Sequence, residues 1–132
     1  MAYAPRILIV EDDASVRRLF EHVLSEDGYY VTSVGTGRHA LLVLRDVAFD
    51  AVIVDMSLPD LDGPEVLREI ASEFPHIKTV AISGAMERHM QHQARVAGAV
   101  ASFQKPITPK NLRNVVYAVL DPSYSWRGKG AG

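Results

Sequence analysis

The chain has 132 residues, 48% of them apolar, with 14 Lys plus Arg against 16 Asp plus Glu for a formal net charge of −2; that length suits one domain around one core. It contains no cysteine, which excludes disulfides, thiolate metal sites and cysteine nucleophiles, and no block of basic residues, which argues against nucleic-acid binding through this chain. The start, MAYAPR, lacks the apolar stretch of a signal peptide, and no run is long enough to span a bilayer, so a cytoplasmic protein is expected.

Short apolar runs alternate with segments of helical period. RILIV (Arg6–Val10) reads as a buried strand. Val16, Leu19, Phe20, Val23 and Leu24 then share one helical face, with Asp13 placed to cap that helix. DGYYVTSV combines a turn with a β-rich run ending at Val34, and a helix over Arg38–Val47 follows. AVIVD (Ala51–Asp55) is a third strand, followed by the loop MSLPDLDG, in which Asp60 and Asp62 read as loop and cap residues. Pro64 opens a helix lined by Val66, Leu67, Ile70, Ala71 and Phe74. KTVAIS (Lys78–Ser83) is a fourth strand, and Met86, Met90, Ala94 and Ala97 mark a weaker helix. VASFQ (Val100–Gln104) is a fifth, after which Thr108 caps and Pro109 opens a last helix with Leu112, Val115, Val116 and Val119 inward. The glycine-rich stretch from Asp121 has no period, so the expected division is a domain over 1–120 and a flexible tail over 121–132. Apolar strands alternating with helices imply an α/β fold, a doubly wound parallel sheet of five strands covered on both faces.

In such sheets the working site lies beyond the carboxyl ends of the strands. Glu11 and Asp12 follow the first strand, Asp55 ends the third, Ser83 the fourth, and Lys105 follows the fifth. Three carboxylates gathered there repel one another, and a hard divalent cation relieves that cost. Magnesium takes oxygen ligands and commonly combines carboxylates with a phosphate oxygen. Lys105 adds a positive charge and Ser83 a hydroxyl, completing a set that suits the equatorial oxygens of a phosphoryl group.

The motifs ILIVEDD, VIVDMSLPDLDG, VAISGA and KPI, in this order and at these strand ends, resemble the receiver domains of two-component response regulators over roughly residues 6 to 120. The resemblance is to the stand-alone, chemotaxis-type form. It implies a flavodoxin-like (βα)5 fold with strand order 2-1-3-4-5. Asp55 would be the phosphoacceptor, charged from a phosphohistidine of a sensor histidine kinase or histidine phosphotransfer protein. Asp12, Asp55 and the carbonyl of Ser57 would bind Mg2+ directly, and Glu11 through a water. Ser83 and Lys105 would hold the phosphoryl group, and the Lys105–Pro106 bond would be cis. The domain would signal through phosphorylation-dependent binding to a downstream protein rather than as an enzyme in the ordinary sense. No output domain fits in the residues after the last helix, so the chain would act by being recognised, or be a receiver cut from a longer protein. Ser57 and Ala85, at positions that tune water access in the family, lack a group to hold an attacking water, so slow self-dephosphorylation is expected. Ser102 stands where receivers usually carry an aromatic residue, and regular alternation turns Phe103 to the opposite side of the strand.

Other readings compete. Gly35, Gly37 and Ala40 form a G-x-G-x-x-A pattern after a strand, with Asp55 beyond it, the outline of a dinucleotide-binding module. That reading leaves Glu11, Asp12, Ser83 and Lys105 without a role. A receiver-like interaction module that does not use phosphate is a second alternative. His89 and His92, with Met86 and Met90 nearby, fit an exposed polar face or a metal site, and Trp126 fits either a partner anchor or an unstructured tail.

Overall fold

The computed structural model describes residues 4–84 and 88–123. Five strands, β1 (Arg6–Val10), β2 (Tyr30–Val34), β3 (Ala51–Asp55), β4 (Lys78–Ser83) and β5 (Ala101–Gln104), alternate with α1 (Ala14–Glu26), α2 (Gly37–Asp46), α3 (Gly63–Glu73), α4 (Arg88–Val96) and α5 (Pro109–Val119). All pairings are parallel and the order is β2-β1-β3-β4-β5. The expected doubly wound α/β sheet is thus the observed one.

Alternation along each strand sends successive side chains to opposite faces, and here both faces are covered, so the strands are apolar throughout. Ile7, Ile9, Ile53, Val80 and Ile82 meet Phe20, Val23 and Leu24 of α1 and Leu112, Val115, Val116 and Val119 of α5. Leu8, Val10, Val52, Val54 and Ala81 meet Ala40, Leu41 and Leu44 of α2, Val66, Leu67 and Ile70 of α3, and Ala94 of α4.

The helix starts follow local chemistry. Asp13 Oδ1 accepts from the N–H groups of Ser15 (2.8 Å) and Val16 (3.2 Å). Thr36 and Thr108 hydroxyls accept from His39 and Asn111, each at 3.1 Å, and Pro109 sits in the first turn of α5. Asp62 stands at the cap position of α3 but its side chain makes no capping hydrogen bond.

Two apolar assignments change. Leu19 is 46% exposed, because it lies at the edge of the α1 stripe, beyond the reach of the sheet. Ala71 is exposed in α3, with its methyl group against Gly98. Met90 packs partly into the core and Ala94 and Ala97 are buried, whereas Met86 lies outside the described residues.

The order of strands reverses at β1, whose neighbours are β2 on one side and β3 on the other. The crevice at the carboxyl ends of β1 and β3 is the place where such a sheet offers a site.

Candidate functional site

Glu11 continues directly from β1, and its N–H donates to the carbonyl of Val34 at 3.0 Å. That bond extends the β1–β2 ladder and turns the carboxyl inward, where it is fully buried. Asp12, one residue on, is exposed. Asp55 ends β3 and is 1% exposed. One carboxylate oxygen from each of Glu11, Asp12 and Asp55 lies within 4.8 Å of the others, the one such cluster of potential metal ligands among the described residues. His89 and His92 are exposed on α4 and form no part of it.

Lys105 follows β5, tied down by donation from its N–H to the carbonyl of Ser83 at 2.7 Å. Its peptide bond to Pro106 is cis, as the resemblance implies. The ammonium reaches the acids: Nζ lies 2.7 Å from Glu11 Oε1 and 2.9 Å from Asp55 Oδ2. The other oxygen of Asp55, Oδ1, accepts from the N–H of Ser57 at 2.9 Å. Ser83 ends β4 and is buried beside this group. Ser57 itself is exposed in the loop. Glu11, Asp12, Asp55, Ser57, Ser83 and Lys105 therefore converge at one edge of the sheet.

Burial pushes the Glu11 carboxyl up from the ordinary 4.5 to about 7; Lys105 and the Asp13 N–H pull it down, while Asp55 adds to the rise. Burial alone would lower the pKa of Lys105, but Glu11 and Asp55 more than reverse this and hold it above its ordinary value. A single ammonium thus serves two buried carboxylates, with a third acid exposed beside them. The donor set is oxygen only, with no imidazole or thiolate, which fits a hard divalent cation such as Mg2+.

Gly63, at the start of α3, lies against the backbone that follows Asp55. A Cβ there would come within 2.6 to 2.7 Å of the Met56 backbone, so the loop after Asp55 can fold back onto the start of α3 only because residue 63 has none. Met56 in turn donates from its N–H to the carbonyl of Ile82 at 2.8 Å, continuing the β3–β4 ladder past the last strand residue.

The profile of the response regulator receiver domain family matches residues 7–117. The chain belongs to that family. It is 36% identical over 117 residues to a probable transcriptional regulator, ycf27, of Guillardia theta, covering 87% of this chain but 45% of that protein. It is 29% identical over 115 residues to sporulation initiation phosphotransferase F of Bacillus subtilis, covering 87% of this chain and 93% of that one. The fold matches the receiver domain protein (CheY-like) of Methanospirillum hungatei JF-1 with a TM-score of 0.87 and 28% identity, covering 90% of this chain and 95% of that chain. The chain therefore spans about half the length of some relatives and nearly all of others.

The receiver fold also disposes of the dinucleotide reading on physical grounds. A pyrophosphate needs free N–H groups at the start of the helix after the glycine turn. In α2 the N–H groups of Gly37 and Arg38 donate to the Asp60 carboxylate, at 2.9 and 3.0 Å, and that of His39 to Thr36.

Two links bordering the site go beyond the motif order, one from Arg17, to which the motifs give no role, and one from Asp60, which reads in the sequence as a loop or cap residue. Arg17 of α1 donates from one guanidinium nitrogen to the carbonyls of Glu11 (2.7 Å) and Asp12 (3.2 Å). Asp60 caps α2 from a loop more than twenty residues away in sequence. Neither link follows a local pattern; an arginine one helical turn into α1 was the only signal. Ser102, on the side of β5 opposite Phe103, is fully buried, and its hydroxyl finds no hydrogen-bond partner among the described residues. Ala85 and Trp126 lie outside the described residues.

Proposed function

We propose that Asp55 accepts a phosphoryl group from a phosphohistidine of a sensor histidine kinase or histidine phosphotransfer protein. The phosphorylated domain then signals by binding a downstream protein. The observation that carries this reading is the buried Asp55 carboxylate, held between the Ser57 N–H and the Lys105 ammonium and within reach of Glu11 and Asp12. One relative bears the name phosphotransferase and another, the sensor kinase CckA of Brucella abortus, the name of a kinase, which supports transfer between such proteins.

Glu11, Asp12, Asp55 and the Ser57 carbonyl would hold Mg2+, which when bound neutralises charge on the phosphoryl oxygens. Asp55 supplies the nucleophile. Its carboxylate oxygen forms a bond to phosphorus as the bond from phosphorus to the imidazole nitrogen breaks, leaving an acyl phosphate and a histidine that retains its electron pair. Lys105, freed from part of its pairing with Asp55, follows the charge onto the phosphoryl oxygens, and the Ser83 hydroxyl donates to another. Positioning and charge do the work here, as phosphoryl transfer through a loose transition state requires. The domain acts once per phosphoryl group and is altered by it, so it is a phosphoacceptor rather than a turnover enzyme. A cytoplasmic setting suits a cysteine-free chain in which, among the described residues, no helix is long and apolar enough to cross a membrane.

Incubation with a small phosphodonor tests this. Label should enter only with Mg2+, reach one group per chain, and vanish in Asp55→Asn. Full labelling of that variant would sink the assignment.

A further inference from the structure

The G-x-G turn after β2 touches none of the acids directly, and the function proposed above leaves it unused. Its contacts nevertheless run to both acid-bearing loops. On one side Val34 accepts from the N–H of Glu11 at 3.0 Å. Beside it the Arg17 guanidinium, which holds the carbonyls of Glu11 and Asp12, lies so near Gly35 that a Cβ there would come within 3.0 Å of the guanidinium nitrogen. On the other side the N–H groups of Gly37 and Arg38 donate to the two oxygens of Asp60. Asp60 sits in the loop that carries Ser57. A Cβ at Gly37 would meet the Leu61 side chain and Val66 at 3.0 Å, so that loop rests directly on the turn.

We propose that the Gly35–Arg38 turn is a brace that sets the distance between the β1–α1 and β3–α3 loops, with Asp60 and Arg17 as positioning residues for the cation held by Glu11, Asp12 and Asp55. The two glycines are there for close approach, one to a guanidinium and one to a leucine, and not for a nucleotide. The Asp60 carboxylate links two loops that share no sheet pairing of their own beyond the strands. Arg17 fixes the carbonyl side of the other loop, so that each carboxylate oxygen is aimed before any cation arrives. A cation site needs its ligands held to a fraction of an ångström, and Mg2+ tolerates little departure from octahedral geometry. A brace at this point matters most for such an ion.

The inference rests on the reading of the acids as a Mg2+ site, and the test separates the two. Magnesium affinity of the full chain is measured by isothermal titration, at a temperature where circular dichroism shows every variant folded. Asp60→Ala should weaken binding by about threefold, below the roughly tenfold or more that losing a direct partner of a metal ligand costs, since Asp60 holds the N–H groups of α2 and acts on the ligands only through its loop. Asp60→Asn, which can accept through one oxygen only, should fall between that variant and wild type. Without magnesium, the amide proton resonances of Gly37 and Arg38 should move upfield in Asp60→Ala. Val119→Ala, at the far end of α5, should lose stability and keep its affinity. Asp12→Asn reports on the cation site alone. If Asp60→Ala binds as wild type while Asp12→Asn does not, the brace is overturned and the cation site stands. If Asp12→Asn also binds as wild type, both fall. Equal weakening in Val119→Ala and Asp60→Ala would mean general softening, and would overturn the brace as well.

Discussion

Glu11 carries the sharpest prediction at the scale of single residues. Its carboxyl titrates near 7 in the folded protein against an ordinary 4.5, chiefly through burial, so the folded state binds its proton more tightly than the unfolded chain. Stability from this group is complete at low pH and declines as pH rises from about 4.5 through about 7. Cation binding needs the deprotonated form, so the rise in Tm on adding magnesium should be larger at about pH 8 than at about pH 5.5. Equal shifts at both, in a thermal melt, would contradict the role proposed for Glu11 in holding the cation. Lys105 is the counterpart. Lys105→Met should destabilise the magnesium-free protein by about 2 kcal/mol at neutral pH and above, less than the roughly 3–5 kcal/mol for a fully buried pair because the lysine side chain is 30% exposed. Urea unfolding measures it, and the loss should shrink at acid pH, where Glu11 holds its proton. Asp12 and Glu11 should differ in turn: if Asp12 coordinates directly and Glu11 through a water, as proposed, Asp12→Ala should weaken magnesium more than Glu11→Ala by titration, and equal effects would contradict those roles.

At the scale of elements, the loop after β3 and the strand β5 are the informative ones. Gly63→Ala would place a methyl group within 2.6 to 2.7 Å of the Met56 backbone. Backbone cannot yield as a side chain tip can, so a loss of about 1–3 kcal/mol is expected by urea unfolding, together with weaker magnesium binding as the loop bearing Ser57 shifts. On β5, Phe103 packs with the α1 and α5 layer while Ser102 faces the opposite side, in keeping with regular alternation. Crystals grown with and without a beryllofluoride phosphoryl mimic should show Phe103 in the same place in both; a swing of its ring toward the α4 side would contradict this. The strands and most helix starts were legible in the sequence because their causes are local: continuous apolar runs for a sheet covered on both faces, and Asp13, Thr108 and Pro109 as start signals. The exposure of Leu19 was not, since it depends on where the sheet ends beneath α1. Nor was the link from Asp60 to α2, which joins loops far apart in sequence and leaves no periodic trace. The two glycines were visible, but a turn that admits a neighbouring side chain and one that admits a pyrophosphate share the same letters.

The whole molecule is a frame that brings four distant segments to one edge. Motif order predicted that convergence, because a parallel sheet places every strand's carboxyl end on the same side, so residues from Glu11 to Lys105 meet whatever their separation. Among the described residues the core ends with Leu120, which packs against the α1 and α5 layer, and we propose residue 120 as the domain limit. Truncation after Ser123 should leave both Tm and magnesium affinity unchanged, by thermal melt and titration. A fall in either would extend the domain into the remaining residues. The phosphoacceptor itself can be located chemically. After labelling with a small phosphodonor and magnesium, borohydride reduces an acyl phosphate of aspartate to homoserine, which mass spectrometry assigns to one position. Homoserine at residue 55 alone is the expected result; homoserine at another acid, or none despite stable labelling, would contradict the role given to Asp55.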